Sequence, residues 1–238
     1  MTNLEEYGEV FSALRQTTPH WHAYTRHAFV RGLGDGSLPK ESFYHYLKQD
    51  YVFLIHFSRA WALAVAKAGT LDEIKACAST VNGLANGEMQ YHVETCGKLG
   101  IPEDELFKTV EANENLAYTR FVLEAGYSGD FVSLLATLAP CVFGYGEIGL
   151  MLADDKTSDT YQDWIETYAG KDYQDVCINA GQLLDQAVIN RFGKNYTQLP
   201  IWNKLISQFN IATRLEVDFW NMGLRGPCAN PIAEPNGT

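Results

Sequence analysis

Basic residues are scarce: 18 lysines and arginines face 29 aspartates and glutamates in 238 residues, for a formal charge of −11. A surface of that sign repels phosphate backbones and anionic lipid, and Lys and Arg nowhere gather into a run, so nucleic acid and membrane are not expected partners. Cysteine is scarce too. The five present (Cys77, Cys96, Cys141, Cys177 and Cys228) form an odd set without a CxxC pair, which argues against a disulfide framework and a cysteine zinc site and fits a reducing cytoplasm. No apolar run of membrane-spanning length is expected, and MTNLEEYGEV lacks the basic and apolar segments of a signal peptide. The expectation is a soluble, cytoplasmic protein. Strand patterns and internal repeats are also missing. The glycine-rich stretch from Gly32 to Pro39 lacks the strand and spacing of a phosphate-binding loop and reads as a turn.

What is present is helical periodicity from end to end. Leu4, Tyr7, Val10, Phe11 and Leu14 form a first stripe, and a short helix follows over 21–33. Pro39, placed at a first helical position, opens a long helix to about Lys67. Further helices are expected over 71–97, 109–125, 160–168, 173–191 and 200–222, with Asp130 capping another that contains Cys141. The fold class is therefore all-α, a single-domain helical bundle over 1–225, followed by an irregular tail at 226–238.

The stretch from Leu134 to Leu152, LLATLAPCVFGYGEIGLML, organises the rest. Leu134, Leu138, Cys141, Tyr145, Ile148 and Leu152 follow helical spacing and read as one apolar face. Pro140 predicts a kink or a fresh start beside the cysteine. Gly144 and Gly146 leave bare backbone on the next turn, which predicts close approach by something flat. Cys141 is either a small buried hydrophobe, the usual fate of an unpaired cysteine, or a nucleophile.

Two acids interrupt apolar stripes in the same way. Asp50 lies in the row Phe43, Tyr46, Phe53 and Phe57, and Glu216 in the row Leu205, Phe209, Ala212 and Phe219. Asp50 can be a site acid or half of an ion pair with an arginine such as Arg59. In a bundle, Asp50, Cys141 and Glu216 can converge on one cavity, where a carboxylate serves the thiol and tyrosines wall a flat heteroaromatic amine. Glu88 and His92, one turn apart on the expected face of Ile74, Ala78 and Val81, can share a metal or a hydrogen bond. The histidines His20, His22 and His27 share no face and read as surface or packing residues.

Four segments carry a family resemblance: HAFVRGLGDGSLPKESFYHYLKQDYVFLIHFSRA from His27, PCVFGYGEIG from Pro140, YQDWIETYAGKDY from Tyr161 and LEVDFWNMG from Leu215. Together they resemble the TenA family, the thiaminase II or aminopyrimidine aminohydrolase family, whose bundle is also that of haem oxygenase-like proteins. The resemblance implies Cys141 as nucleophile, with Asp50 and Glu216 as the acids. It implies Phe53, Tyr118, Tyr145 and Tyr168 as ring contacts. Phe53 stands where some relatives have tyrosine, and Gly144 and Gly146 replace bulkier residues of some members. The implied reaction is hydrolysis at the methylene on C5 of a 4-amino-2-methylpyrimidine, from an aminopyrimidine or thiamine itself, giving hydroxymethylpyrimidine for thiamine salvage. It needs no metal or organic cofactor, and members commonly form a homotetramer. Two rival readings are a metal-dependent oxidase on the same bundle, using Glu88, His92 and Asp50, and a non-enzymatic regulator.

Overall fold

The computed structural model describes residues 4–227, and every regular element among them is helical. A 3-10 turn at Leu4–Tyr7 leads to α1 (Glu9–Thr17). The expected single stripe is broken at Gly8, whose φ of 99° no other residue type adopts readily. The short helix expected over 21–33 is likewise two, α2 (Trp21–Thr25) and α3 (Ala28–Asp35). His27 makes the break by capping α3: its Nδ1 accepts from Phe29 N at 3.2 Å. Gly32 and Gly34, expected in a turn, lie inside α3, and the turn itself comes at Gly36, φ 77°.

Helix α4 (Lys40–Lys67) starts one residue later than expected, with Pro39 as its cap. It folds back on α5 (Leu71–Gly83). At that hairpin Thr70 Oγ1 accepts from Glu73 N at 3.2 Å and Glu73 Oε2 accepts from Gly69 N at 2.7 Å, a reciprocal cap that ends one helix and begins the next. Glu73 and Cys77 are buried while Ile74 is exposed, so the inward side of α5 is not the expected one. A π-helical turn at Leu84–Glu88 separates α5 from α6 (Met89–Lys98). The short α7 (Glu103–Phe107), which was not foreseen, precedes α8 (Asn113–Ser128).

Helix α9 (Phe131–Asp155) is the centre, packed by α8, by α10 (Gln162–Ala169), by α11 (Lys171–Phe192) and by α12 (Pro200–Arg225). Asp130 caps it as expected, its Oδ1 accepting from Ser133 N at 2.8 Å. Two expectations fail here. α9 is long and apolar enough to cross a membrane, contrary to the reading that no such run exists, but its apolar stretch lies inside the protein. Pro140 does not restart it either, because the helix runs unbroken through that residue. Contact on all sides supplies the stability that one lost backbone bond removes. With every side buried, α9 has no single apolar face.

Glu147 fastens the N-terminal elements to this centre. Its carboxylate accepts from Arg15 Nε at 2.9 Å, Arg26 Nη1 at 3.1 Å and Trp21 Nε1 at 2.8 Å. Burial pushes its pKa up, but the Arg15 guanidinium with Trp21 and Arg26 outweighs it and holds the carboxyl below its usual range.

The flat neighbours of the α9 glycines belong to the protein itself. A Cβ on Gly144 would lie 2.1 Å from Tyr24 Cε1, and one on Gly146 2.6 Å from both Cys177 Sγ and Tyr7 Oη. Both glycines therefore admit core tyrosines rather than setting the width of a pocket. The expected tail at 226–238 falls almost entirely outside the described residues, as does Cys228.

Candidate active site

Between Phe131 and Gly149 every residue of α9 is buried except Cys141, which is only half-buried. One thiol thus meets open space from the middle of an otherwise enclosed helix. Its pKa is raised well above the ordinary value, first by burial and then by the negative charges of Glu216, Glu88 and Asp50. Those acids come from α12, from the π turn and from α4. The resting group is therefore a neutral thiol.

Glu216 sits on α12 with 2% of its surface exposed. Tyr118 of α8 donates to its Oε1 at 2.8 Å, and the Tyr24 hydroxyl, which donates to the Pro140 carbonyl at 3.3 Å, also acts to lower its pKa. Burial pushes the Glu216 carboxyl up to about 8 against the pull of those two hydroxyls, so it is mostly protonated at neutral pH.

Asp50 is 4% exposed on α4. Its partner is not Arg59, which reaches His56 instead, at 3.2 Å. Asp50 Oδ2 faces His92 Nδ1 at 3.6 Å, while His92 Nε2 lies 2.7 Å from the Leu47 carbonyl and so carries the ring proton. Burial pushes Asp50 well up, with the charges of Glu88 and Glu216 adding to it, and burial pushes His92 down. Both are held neutral. Tyr46, one turn before Asp50 on α4, acts in the lowering direction. His92 thus bonds neither Glu88 nor a metal set: among the described residues no three of His, Cys, Asp and Glu are gathered to hold a metal ion. The donor cluster that a metal oxidase needs is not assembled from Glu88, His92 and Asp50.

The four expected ring contacts fall into two aromatic walls. Phe53 packs on Tyr118 with centroids 4.9 Å apart and on Phe219 at 5.7 Å, beside Glu216. Tyr145 packs on Tyr168 at 4.9 Å and on Trp220 at 5.4 Å, and its hydroxyl lies 3.4 Å from that of Tyr46. Tyr46 joins the walls, with Phe219 6.1 Å and Trp220 5.3 Å away. Cysteine, two carboxylic acids and two walls of rings suit a flat heterocycle with hydrogen-bonding edges.

The sequence model of the TENA/THI-4/PQQC family matches residues 14–226. The chain belongs to this family. A solved structure from Silicibacter sp. TM1040, described as a TenA family transcription regulator, is 58% identical and superposes with a TM-score of 0.91, covering 92% of this chain and 98% of its own. A protein named aminopyrimidine aminohydrolase from Halalkalibacterium halodurans is 33% identical across 89% of this chain and 93% of its own length. Its namesake from Bacillus subtilis is also 33% identical, across 86% and 85%.

Within this TenA-family bundle, sequence reasoning missed Tyr24, Tyr46 and Trp164 as parts of the site. Trp164 Nε1 donates to the Tyr46 hydroxyl at 3.3 Å, joining α10 to the residue one turn before Asp50. Tyr46 stood in the same stripe as Asp50, one turn away, and that spacing was the available signal. Tyr24 had none of its own, since a five-residue helix shows no periodicity; the bare backbone at Gly144 was its counterpart.

Proposed function

We propose that this protein is an aminopyrimidine aminohydrolase, a hydrolase of C–N bonds acting in thiamine salvage through covalent catalysis by Cys141. The observation that carries the reading is the half-buried Cys141 in an otherwise buried helix, faced by Glu216 and Asp50. The pyrimidine lies between the Phe53–Tyr118 and Tyr145–Tyr168 walls. A protonated Asp50 matches an aminopyrimidine edge, its carbonyl accepting from the 4-amino group while its hydroxyl donates to the adjacent ring nitrogen.

Because both Cys141 and Glu216 rest neutral, the substrate must trigger the thiol. Glu216 gives its proton to the ring nitrogen beside C6 and takes the thiol proton in exchange, as Sγ bonds C6. The dearomatised ring then expels the substituent on the C5 methylene: an ammonium leaves as ammonia, or a thiazolium as neutral thiazole, each keeping the C–N electron pair. Water adds to the exocyclic methylene and loses a proton. Finally the C6–S bond breaks, the ring proton returns through Glu216 to sulfur, and aromaticity is restored. No step calls for a cofactor. Homotetrameric assembly, which rests on the family resemblance, and a cytoplasmic location, which rests on the odd set of cysteines without a CxxC pair, belong to the same reading.

The test is to incubate the protein with 4-amino-5-aminomethyl-2-methylpyrimidine and with thiamine and to identify the pyrimidine product by mass spectrometry. Hydroxymethylpyrimidine from either substrate is expected. Cys141→Ser should fold normally and lose most turnover, because a serine hydroxyl lacks the thiol's acidity and nucleophilicity. Near wild-type hydrolysis by that variant would overturn the covalent route, and failure of the wild type on both substrates would overturn the reading.

A further inference from the structure

The mechanism above leaves one acid of the site unused. Glu88 ends the π turn, and α5 and α6 run back along α4, so position along one helix fixes position along the other. His92 reaches the Leu47 carbonyl and faces Asp50. Glu88, four residues earlier on the same face, therefore lies one turn further along α4, towards Leu54. The π turn carries one residue more than an α turn, which rotates the side chains beyond it by about 100° relative to α5. Gly83, just before it, and Gly87, within it, have open space where their side chains would be.

Three features separate Glu88 from a structural acid. It is only half-buried, whereas Asp50 and Glu216 are 4% and 2% exposed, so it stands nearer solvent than either. No hydrogen bond or ion pair reaches its carboxylate from another described residue, and the shift of its pKa up to about 7 has burial as its only cause. Its charge nevertheless raises the pKa of Cys141, Asp50, Tyr168 and Tyr173 alike, in keeping with its place one turn from His92, which itself faces Asp50. An unpartnered carboxylate at a site whose reacting substituent is a cation has an evident counterpart in that cation.

We propose that Glu88 is a substrate-binding and specificity-determining residue that takes the cationic group on the C5 methylene, so that the site prefers pyrimidines bearing a small charged amine over their neutral counterparts. The proposal rests on the aminohydrolase reading. Asp50 and Glu216 recognise the ring, common to substrate and product, while Glu88 recognises only the group that leaves. An ammonium draws its carboxyl to the charged form, and departure of neutral ammonia removes the attraction, so product is held less tightly than substrate.

The experiment compares Glu88→Gln with wild type by calorimetry, using the aminomethylpyrimidine, with Cys141→Ser as background to prevent turnover, and the neutral hydroxymethylpyrimidine. Turnover with the aminomethyl substrate is measured in parallel without the Cys141 change. Affinity for the cationic ligand should fall on the order of 10- to 100-fold and KM should rise correspondingly, while affinity for the neutral ligand stays within about 2-fold. Equal losses for both ligands would make Glu88 a structural residue and overturn the proposal, as would no loss for either. A Cys141→Ser protein that binds neither pyrimidine, together with an inactive wild type, would overturn the aminohydrolase reading first and this proposal with it; an active wild type with unaltered Glu88→Gln overturns this proposal alone.

Discussion

At the scale of single residues, the site depends on groups kept neutral until a substrate arrives. The Cys141 thiol is raised by burial and by three neighbouring acids, and the Glu216 carboxyl is pushed up to about 8. A carboxyl of that pKa is the weaker acid's partner only after it has given its own proton away, so Glu216 acts first on the ring. Glu216→Gln keeps the acceptor that Tyr118 needs but cannot relay a proton. Turnover should fall on the order of 10²–10⁴-fold with substrate binding largely kept. Iodoacetamide labelling of Cys141 in the free protein should not slow in this variant, since Glu216 does not ionise the thiol at rest. A marked slowing would show that Glu216 is the thiol's base in the free enzyme. Of these site residues, Asp50, Cys141 and Glu216 could be read from sequence as oddities in apolar rows, because a charge or a thiol amid leucines and aromatics is visible without coordinates. Their pairings could not, because His92 beside Asp50 and Tyr118 on Glu216 come from other helices.

At the scale of elements, α9 carries the chemistry because its neighbours press on it from every direction. Gly144 allows the Tyr24 ring to approach the backbone of the turn after Cys141, and the Tyr24 hydroxyl is one of the two that act to lower the Glu216 pKa. Gly144→Ala places a methyl 2.1 Å from that ring. It should therefore cost about 1–3 kcal/mol of stability by overpacking, despite alanine's better helix propensity, and should also lower turnover by displacing Tyr24. Urea unfolding combined with the hydrolysis assay checks both. A variant as stable and active as wild type would mean that Tyr24 moves aside freely and does not position Glu216. Pro140 predicted a kink or a fresh start, and the helix does not start afresh there, α9 being continuous. The local rule was sound, but tertiary contact on all sides overrode it.

At the scale of the whole molecule, buried acids make stability depend on pH. Asp50, Glu88 and Glu216 all have folded pKa values above those of an unfolded chain. Each stays protonated in the folded protein over a range where the unfolded chain has lost the proton, so unfolding releases protons and stability falls as pH rises. For Glu216 the window runs from about 4.5 to about 8. His27, His45, His56 and His92 are all held low and act in the opposite sense near pH 6, since folding keeps them neutral while the unfolded chain is protonated. The clear readout is thus a comparison of variants. The stability of Glu216→Gln relative to wild type should rise with pH from about 5 to about 8, by up to about 1.4 kcal/mol per unit, and level off beyond. Parallel curves from urea unfolding across that range would show that Glu216 titrates normally in the folded state.

The sequence by itself determined the helical class and most helix positions, because a period near 3.6 and capping residues such as Thr70 and Asp130 act over a few neighbouring residues. It also marked Asp50, Cys141 and Glu216, since each breaks a local pattern. Tertiary structure decided which side of each helix meets what. α5 turns Glu73 and Cys77 inward rather than Ile74; Asp50 faces His92 rather than Arg59; and the α9 glycines admit Tyr24 and Tyr7. These are pairings between segments distant in sequence, chosen by which combination of faces fills the core, and no local pattern contains that choice.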